Sequence, residues 1–479
     1  MGQRSETTLY GHGIIPTMAD AEGDLENRGS FTGRLGFVLA AAASAVGLGN
    51  LWRFPYLTSH YGGGIFLIVY VGLAVTFGFA LLMAEVSLGR KTGKSCIDAF
   101  RDLSEKHRFI GWLVAVIPII IVPYYCVIGG WVLKYFIESA MGNLDTLAEG
   151  GGGGSPYWWD YITGGATGSV LYPTMWFLVF AVLCMFVISL GVGKGVERVS
   201  KVLMPMLLAM LVIVTAFTFT LDGIGDGLAF YLVPKIEDLC PDTFLGAVSQ
   251  IFYSMSLAMG IMITYGSYMK KDVNIEHSAR NIGLIDTGVA FLAGLMIVPA
   301  AFCFGQQDSS GMGLMFNALP MVFHQMPMGD IVAPIFFLLV VFAALTSAMS
   351  LAETAVSIFM DRMHVGRPVA GAITMAVIIG LGLVCCLGFG PWMTNVPGDQ
   401  GAGWLGIFDT LTNSFLMPIA AILTCIFVGF VVKTTVLEEE IELNGPFKAK
   451  RVFRVMIKYI CPLCLLAILI SGMYGTFFT

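Results

Sequence analysis

Eleven stretches of this chain, each about 20 residues or longer, are predominantly apolar, and they constrain its fold more than any other feature. A bilayer core about 30 Å thick is crossed by about 20 apolar residues in a helix. The stretches are residues 35–57, 63–89, 109–140, 172–191, 196–220, 243–268, 281–305, 330–360, 369–390, 404–432 and 453–477. The last runs almost to Thr479, leaving no room for a twelfth. The composition agrees: 57% of the 479 residues are hydrophobic and only 12% charged, against about 25% charged in soluble proteins. A soluble enzyme, a nucleic-acid binder and a disordered chain are excluded. The net charge of −6 points to no polyanionic partner. The expected fold is all-α, a polytopic membrane protein of eleven transmembrane helices.

The basic residues orient it. With the N-terminus cytoplasmic, 22 of the 26 Lys and Arg residues fall in the tail and in the loops after even-numbered spans. The outer loops hold only Lys235, and Arg53, Lys134 and Lys458 lie in or at the ends of spans. Lys and Arg concentrate on the cytoplasmic side, so the N-terminus is read as cytoplasmic and the C-terminus as extracytoplasmic in a multi-pass cell-membrane protein. The first 33 residues form a polar cytoplasmic tail without the apolar region of a signal peptide. Residues 34–432 form a core of ten helices, and 433–479 a cytoplasmic loop plus the eleventh. In the outer loop 141–171, Gly150 to Ser155 read as a flexible linker. Residues 307–329 carry enough apolar side chains, Phe316 and Leu319 among them, to fold back as an outer plug.

Two spans are interrupted. The first contains Ala43-Ser44-Ala45-Val46-Gly47-Leu48-Gly49-Asn50-Leu51-Trp52-Arg53, and the sixth Tyr253-Ser254-Met255-Ser256-Leu257-Ala258-Met259-Gly260. Unpaired backbone at membrane depth is tolerated only where it is buried in protein or lines a cavity. Breaks five spans apart are what a 5+5 inverted repeat with broken helices 1 and 6 produces, framing a midplane binding site. Close helix packing through small residues accounts for Gly47 and Gly49, but not for Asn50 and Arg53.

The run Gly33-Arg34-Leu35-Gly36, then Gly47-Leu48-Gly49-Asn50-Leu51-Trp52-Arg53-Phe54-Pro55, Gly62-Gly63-Gly64, Glu85 and Gly89-Arg90 resembles the neurotransmitter:sodium symporter family. The likeness extends from about residue 28 to the end and is nearest to the family's bacterial amino-acid transporters. It implies sodium-coupled symport of a neutral, hydrophobic or aromatic amino acid, with two Na⁺ ions, no required chloride, and no enzymatic activity. The partners implied are the amino-acid substrate and membrane lipid, with no nucleic acid. The resemblance places the first sodium site on Ala45, Asn50, Ser254 and Asp286. It places the second on Ala43, Val46, Ala343, Thr346 and Ser347. Without it, Thr346 and Ser347 would be read as bonding back to carbonyls one turn earlier.

By the same resemblance, Tyr125 holds the substrate carboxylate. Gly47 stands where monoamine carriers have an Asp, leaving room for that carboxylate to reach sodium. The pocket is expected to be lined by Ser44, Ala45, Gly47, Gly49, Ile121, Tyr253, Ser254, Ser256, Met259, Ser347, Ser350 and Leu351. Arg53 and Asp409 take the outer gate positions. Arg28 and Asp361 take the inner ones, with Tyr268 and Glu353 as neighbours. Glu85 is expected to bond broken-helix amides, and Asp286 to supply a fixed negative charge beside sodium, with Ala290 in place of a chloride-binding hydroxyl. A proton-coupled or exchange-type carrier of the same fold, and a non-transporting amino-acid receptor, are the alternatives. An intramembrane enzyme is disfavoured because all six histidines lie in tails, loops or span ends.

Overall fold

The computed structural model describes residues 29–149, 156–164, 169–306, 311–390, 392 and 403–477. Arg28, the Gly150–Ser155 run and part of the 307–329 loop lie outside the described residues. Among those described, nine continuous apolar helices are long enough to cross a membrane: Gly64–Thr92, Glu105–Ala140, Leu171–Ser189, Val192–Thr218, Ile275–Cys303, Gly329–Met363, Arg367–Leu387, Gly403–Val431 and Lys450–Thr476. A tenth crossing is the pair Arg34–Ala45 and Gly49–His60, bent by 51° at its break. The remaining expected span, the sixth, consists of helices Pro241–Ser254 and Ile261–Ser267 around an irregular stretch. The break explains why no continuous eleventh helix is found: neither piece alone spans a bilayer.

Both broken spans lie inside the bundle. The third and eighth spans form the most extensive helix–helix contact and flank the breaks. Small residues permit this close approach. A Cβ on Gly89 would sit 1.9 Å from the Ile263 carbonyl oxygen, so the second span is pressed against the inner half of the sixth. The fifth span begins with a widened turn over Val192–Glu197 and carries Pro205 within its helix. That Pro removes one backbone donor.

In the loop expected to fold back as a plug, the described residues 311–325 pack onto the bundle, with Leu314, Met315, Phe316, Leu319, Val322 and Phe323 buried. Phe316 packs edge-on against Trp52 and Tyr135 and stacks on Trp158. The Tyr135 hydroxyl donates to the Phe316 carbonyl at 2.9 Å. The apolar content of this loop is thereby accounted for. On the opposite side, helix Thr434–Glu442 is fastened to the second span: the buried Arg90 guanidinium donates to Glu440 Oε1 at 2.8 Å, and Lys271 shares that oxygen at 2.8 Å.

Candidate substrate and sodium site

The regular backbone of the first span ends when Val46 N–H bonds to the Ala42 carbonyl at 2.7 Å. The next two donors have no helical acceptor, and side chains take them. Gly47 N–H donates to Asn50 Oδ1 at 3.2 Å, and Leu48 N–H donates to the Tyr125 hydroxyl at 3.3 Å. The Ser44 carbonyl accepts from Ser256 Oγ and from Ser347 Oγ, each at 3.1 Å. Gln250 donates to the Gly49 carbonyl at 2.9 Å. Buried backbone polar groups require partners, and here the third, sixth and eighth spans provide them.

The sixth span breaks differently. Ser256 and Ala258 adopt φ of 53° and 59°, a left-handed conformation that disfavours residues with a Cβ, and Gly260 follows at 72°. The Ala258 N–H freed by this path donates to Glu85 Oε1 at 2.7 Å. Glu85 is 2% exposed. It thus performs the expected role, holding a broken-helix amide from the second span.

Between the breaks lies a narrow cavity of about 30 Å³, far smaller than the 300–1,000 Å³ usual for small-molecule sites. Every residue expected to line it does so except Ser350. Ser350 Oγ instead accepts from the Tyr265 hydroxyl at 2.7 Å and donates to the Thr346 carbonyl at 3.0 Å, so its polar group is spent within the helix packing. Ile261, the first residue after the break, lines the cavity in its place. Its register follows from how many residues the irregular stretch consumes, which no periodicity shows. Gly47 has no room for a side chain: a Cβ would lie 2.5 Å from Ser347 Oγ and 3.0 Å from the Tyr125 hydroxyl.

At one edge, Asp286 of the seventh span is fully buried. Its Oδ1 accepts from Asn50 Nδ2 and from Ser254 Oγ, both at 2.8 Å. Its Oδ2 is buried without a well-placed donor, the buried Tyr70 hydroxyl beside it being its one polar neighbour. Three of the four residues expected at the first sodium site are therefore in direct contact. A buried carboxylate oxygen without a well-placed donor is costly unless a cation meets it, and oxygen ligands suit a hard ion.

At the expected second site, Thr346 Oγ1 bonds back to the Phe342 and Ala343 carbonyls at 3.0 and 3.1 Å. Ser347 does not follow that local pattern; it reaches across to the broken first span.

The gate positions are distributed unequally. Arg53 donates to Ser249 Oγ at 2.8 Å and lies 5.2 Å from the Tyr253 ring centroid. Asp409 accepts from Asn413 at 2.6 Å. The two residues expected at the outer gate make no ion pair with each other. At the expected inner gate, Asp361 Oδ2 accepts from Ser95 N–H at 2.8 Å. Glu353 accepts from the Tyr268 hydroxyl at 2.9 Å and pairs with both terminal nitrogens of Arg367. Arg367 also donates to the Ile188 carbonyl at 3.1 Å. By sequence, Arg367 falls among the basic residues of the loop after the eighth span. The signal available was Glu353 itself, an acid at membrane depth that requires a cationic partner.

The sequence profile of the sodium:neurotransmitter symporter family matches residues 28–147 and 166–476. The sodium-dependent transporter YhdH of Bacillus subtilis is 34% identical over 450 residues, covering 91% of this chain and 96% of that protein. The human sodium- and chloride-dependent GABA transporter 2 is 28% identical over 419 residues, covering 77% of this chain and 69% of that protein. The crystal structure of MhsT in complex with L-phenylalanine superposes with a TM-score of 0.82 at 34% identity, covering 93% of this chain and all of that one. Because the match spans both breaks and the residues gathered around them, this chain belongs to the sodium:neurotransmitter symporter family, whose members are membrane transporters and not enzymes.

Proposed function

We propose that the protein is a sodium-coupled symporter that carries a neutral, hydrophobic amino acid into the cell by alternating access. The observation that carries this reading is the cavity between the two breaks, polar at the unwound backbone and apolar along Ile121, Met259, Ile261 and Leu351. The substrate carboxylate meets the Tyr125 hydroxyl and a sodium ion beside the Gly47 backbone, where no side chain intervenes. The apolar wall receives the side chain, and the L-phenylalanine of the solved relative supports an aromatic one. Met259 is unbranched and adapts its shape to the ligand.

Two sodium ions accompany the substrate. One is held by Ala45, Asn50, Ser254 and Asp286. The other is held by Ala43, Val46, Ala343, Thr346 and Ser347, with Thr346 rotating away from its own helix. Asp286 supplies the compensating negative charge, so chloride is not required. Arg53 and Asp409 close the outer side over the loaded site. On the inner side the Asp361 and Glu353 networks release, and sodium leaves from the second site first. With the N-terminus in the cytoplasm, the membrane potential adds about 2.3 kcal/mol per charge moved at 100 mV.

Uptake of a panel of labelled amino acids into proteoliposomes, with and without an inward sodium gradient, tests the reading. Gradient-driven accumulation of an aromatic or aliphatic amino acid is expected. Uptake that persists without sodium would establish a proton-coupled or exchange-type carrier, and saturable binding without uptake a receptor.

A further inference from the structure

A second and larger cavity, about 650 Å³, lies away from the transport site, between the second span, the seventh span and the loop before the eleventh. Its walls change character along their length. Val71, Val75 and Phe79 of the second span face Leu284 of the seventh. Of these, Val75 and Leu284 are about 60% exposed, as lipid-facing side chains are. At the other end, on the side of the basic loops, the lining becomes His277, Arg280 and Lys448. Among the described residues, Arg280 and Lys448 make no side-chain ion pair.

The acidic residue at that end is already engaged. Glu276 accepts from the backbone N–H groups of Lys448 and Ala449, each at 3.1 Å. The loop is also fixed in place: Asn274 donates to the Asn444 carbonyl at 2.9 Å, and Asn444 returns a bond to the Val273 carbonyl at 3.2 Å. From Asn274 to Thr287 the cavity follows about 20 Å of helix, the depth of one leaflet with its headgroup layer.

We propose that this groove binds an anionic phospholipid from the leaflet on the side of the basic loops. The phosphate headgroup sits between Arg280 and Lys448, and an acyl chain lies along Val71, Val75, Phe79 and Leu284. Charge complementarity selects the headgroup, and each basic residue near a membrane surface favours an anionic lipid by a factor of about five. An apolar groove alone would accept any lipid, and the cations alone any anion. The two at opposite ends of one cavity, a leaflet apart, fit a lipid carrying both.

Native mass spectrometry of the full chain, purified in detergent and titrated with dioleoyl phosphatidylglycerol or dioleoyl phosphatidylcholine, tests this. The unmodified protein is expected to retain phosphatidylglycerol preferentially. The double variant Arg280→Gln, Lys448→Gln is expected to lose about tenfold or more of that preference, while phosphatidylcholine retention stays unchanged. Val75→Trp, which narrows the apolar end, is expected to weaken retention of both lipids. Millimolar inorganic phosphate should not displace the lipid. Equal retention of the two lipids by the unmodified protein overturns the proposal, as does displacement by phosphate, which would mark a simple anion site. Should the double variant fail to fold, the lipid comparison on the unmodified chain and Val75→Trp still decide.

Discussion

Asp286 joins three consequences in one side chain: a fully buried carboxylate, two donors on Oδ1, and an Oδ2 without a well-placed one. Replacing it by Asn removes the fixed charge while keeping the shape. We expect Asp286→Asn combined with Ala290→Ser to make uptake depend on chloride, whereas the unmodified protein transports equally well when gluconate replaces chloride. Radiolabelled uptake in matched buffers checks this, and chloride dependence in the unmodified protein would falsify the role given to Asp286. Asn50 and Ser347 each bridge the broken first span to another helix, at Asp286 and at the Ser44 carbonyl. Asn50→Ala and Ser347→Ala are each expected to weaken sodium-dependent substrate binding at least tenfold, about 1.4 kcal/mol, by scintillation proximity. Unchanged affinity and sodium response in both would remove these residues from the sodium sites. Gly47→Ala should be as damaging, since its Cβ meets Ser347 Oγ at 2.5 Å, whereas Gly72→Ala, with nothing within 4 Å, should bind normally.

At the scale of the element, the breaks are supported from outside themselves. The irregular path of the sixth span places two non-glycine residues at positive φ, a cost of about 1–2 kcal/mol each, and Glu85 offsets part of it through the Ala258 N–H. Glu85→Ala leaves that buried donor without a partner, a loss of about 1–3 kcal/mol. We expect a lower Tm and impaired uptake, with a smaller loss for Glu85→Gln, whose amide oxygen can accept the same bond. Equal Tm values for all three proteins would show that the break is held by other contacts. Arg53 behaves differently, because its guanidinium rests on Ser249 and Tyr253 and not on an acid. A partly exposed group of this kind contributes little to folding. Arg53→Ala should therefore retain its elution profile and thermal stability while uptake slows. Aggregation of Arg53→Ala, but not of Asp409→Ala, would show that the two do not share a gating role.

At the scale of the whole molecule, the assembly is a bundle in which third-, sixth-, seventh- and eighth-span side chains complete the unwound first span. The crossing segments were legible in the sequence because bilayer thickness dictates a minimum apolar length, and the basic loops indicate an orientation because charge resists translocation. The two breaks were legible because Gly, Asn and Arg at membrane depth conflict with a plain apolar helix. The family resemblance then brought forward nearly all the cavity lining, since a short motif carries its neighbours with it. What the sequence left open depends on distances between segments remote in the chain. Ser350 faces Tyr265 and Ile261 faces the cavity because the length of the irregular stretch sets the register after it. Arg367 answers Glu353 only because the head of the ninth span abuts the inner part of the eighth and the end of the fourth. Arg53 and Asp409 stand apart although the motif pairs them, since gate separation is a property of the packed state. Hydrophobic length and local motif are determined one segment at a time. Side-chain partners across the bundle are decided only when the helices pack.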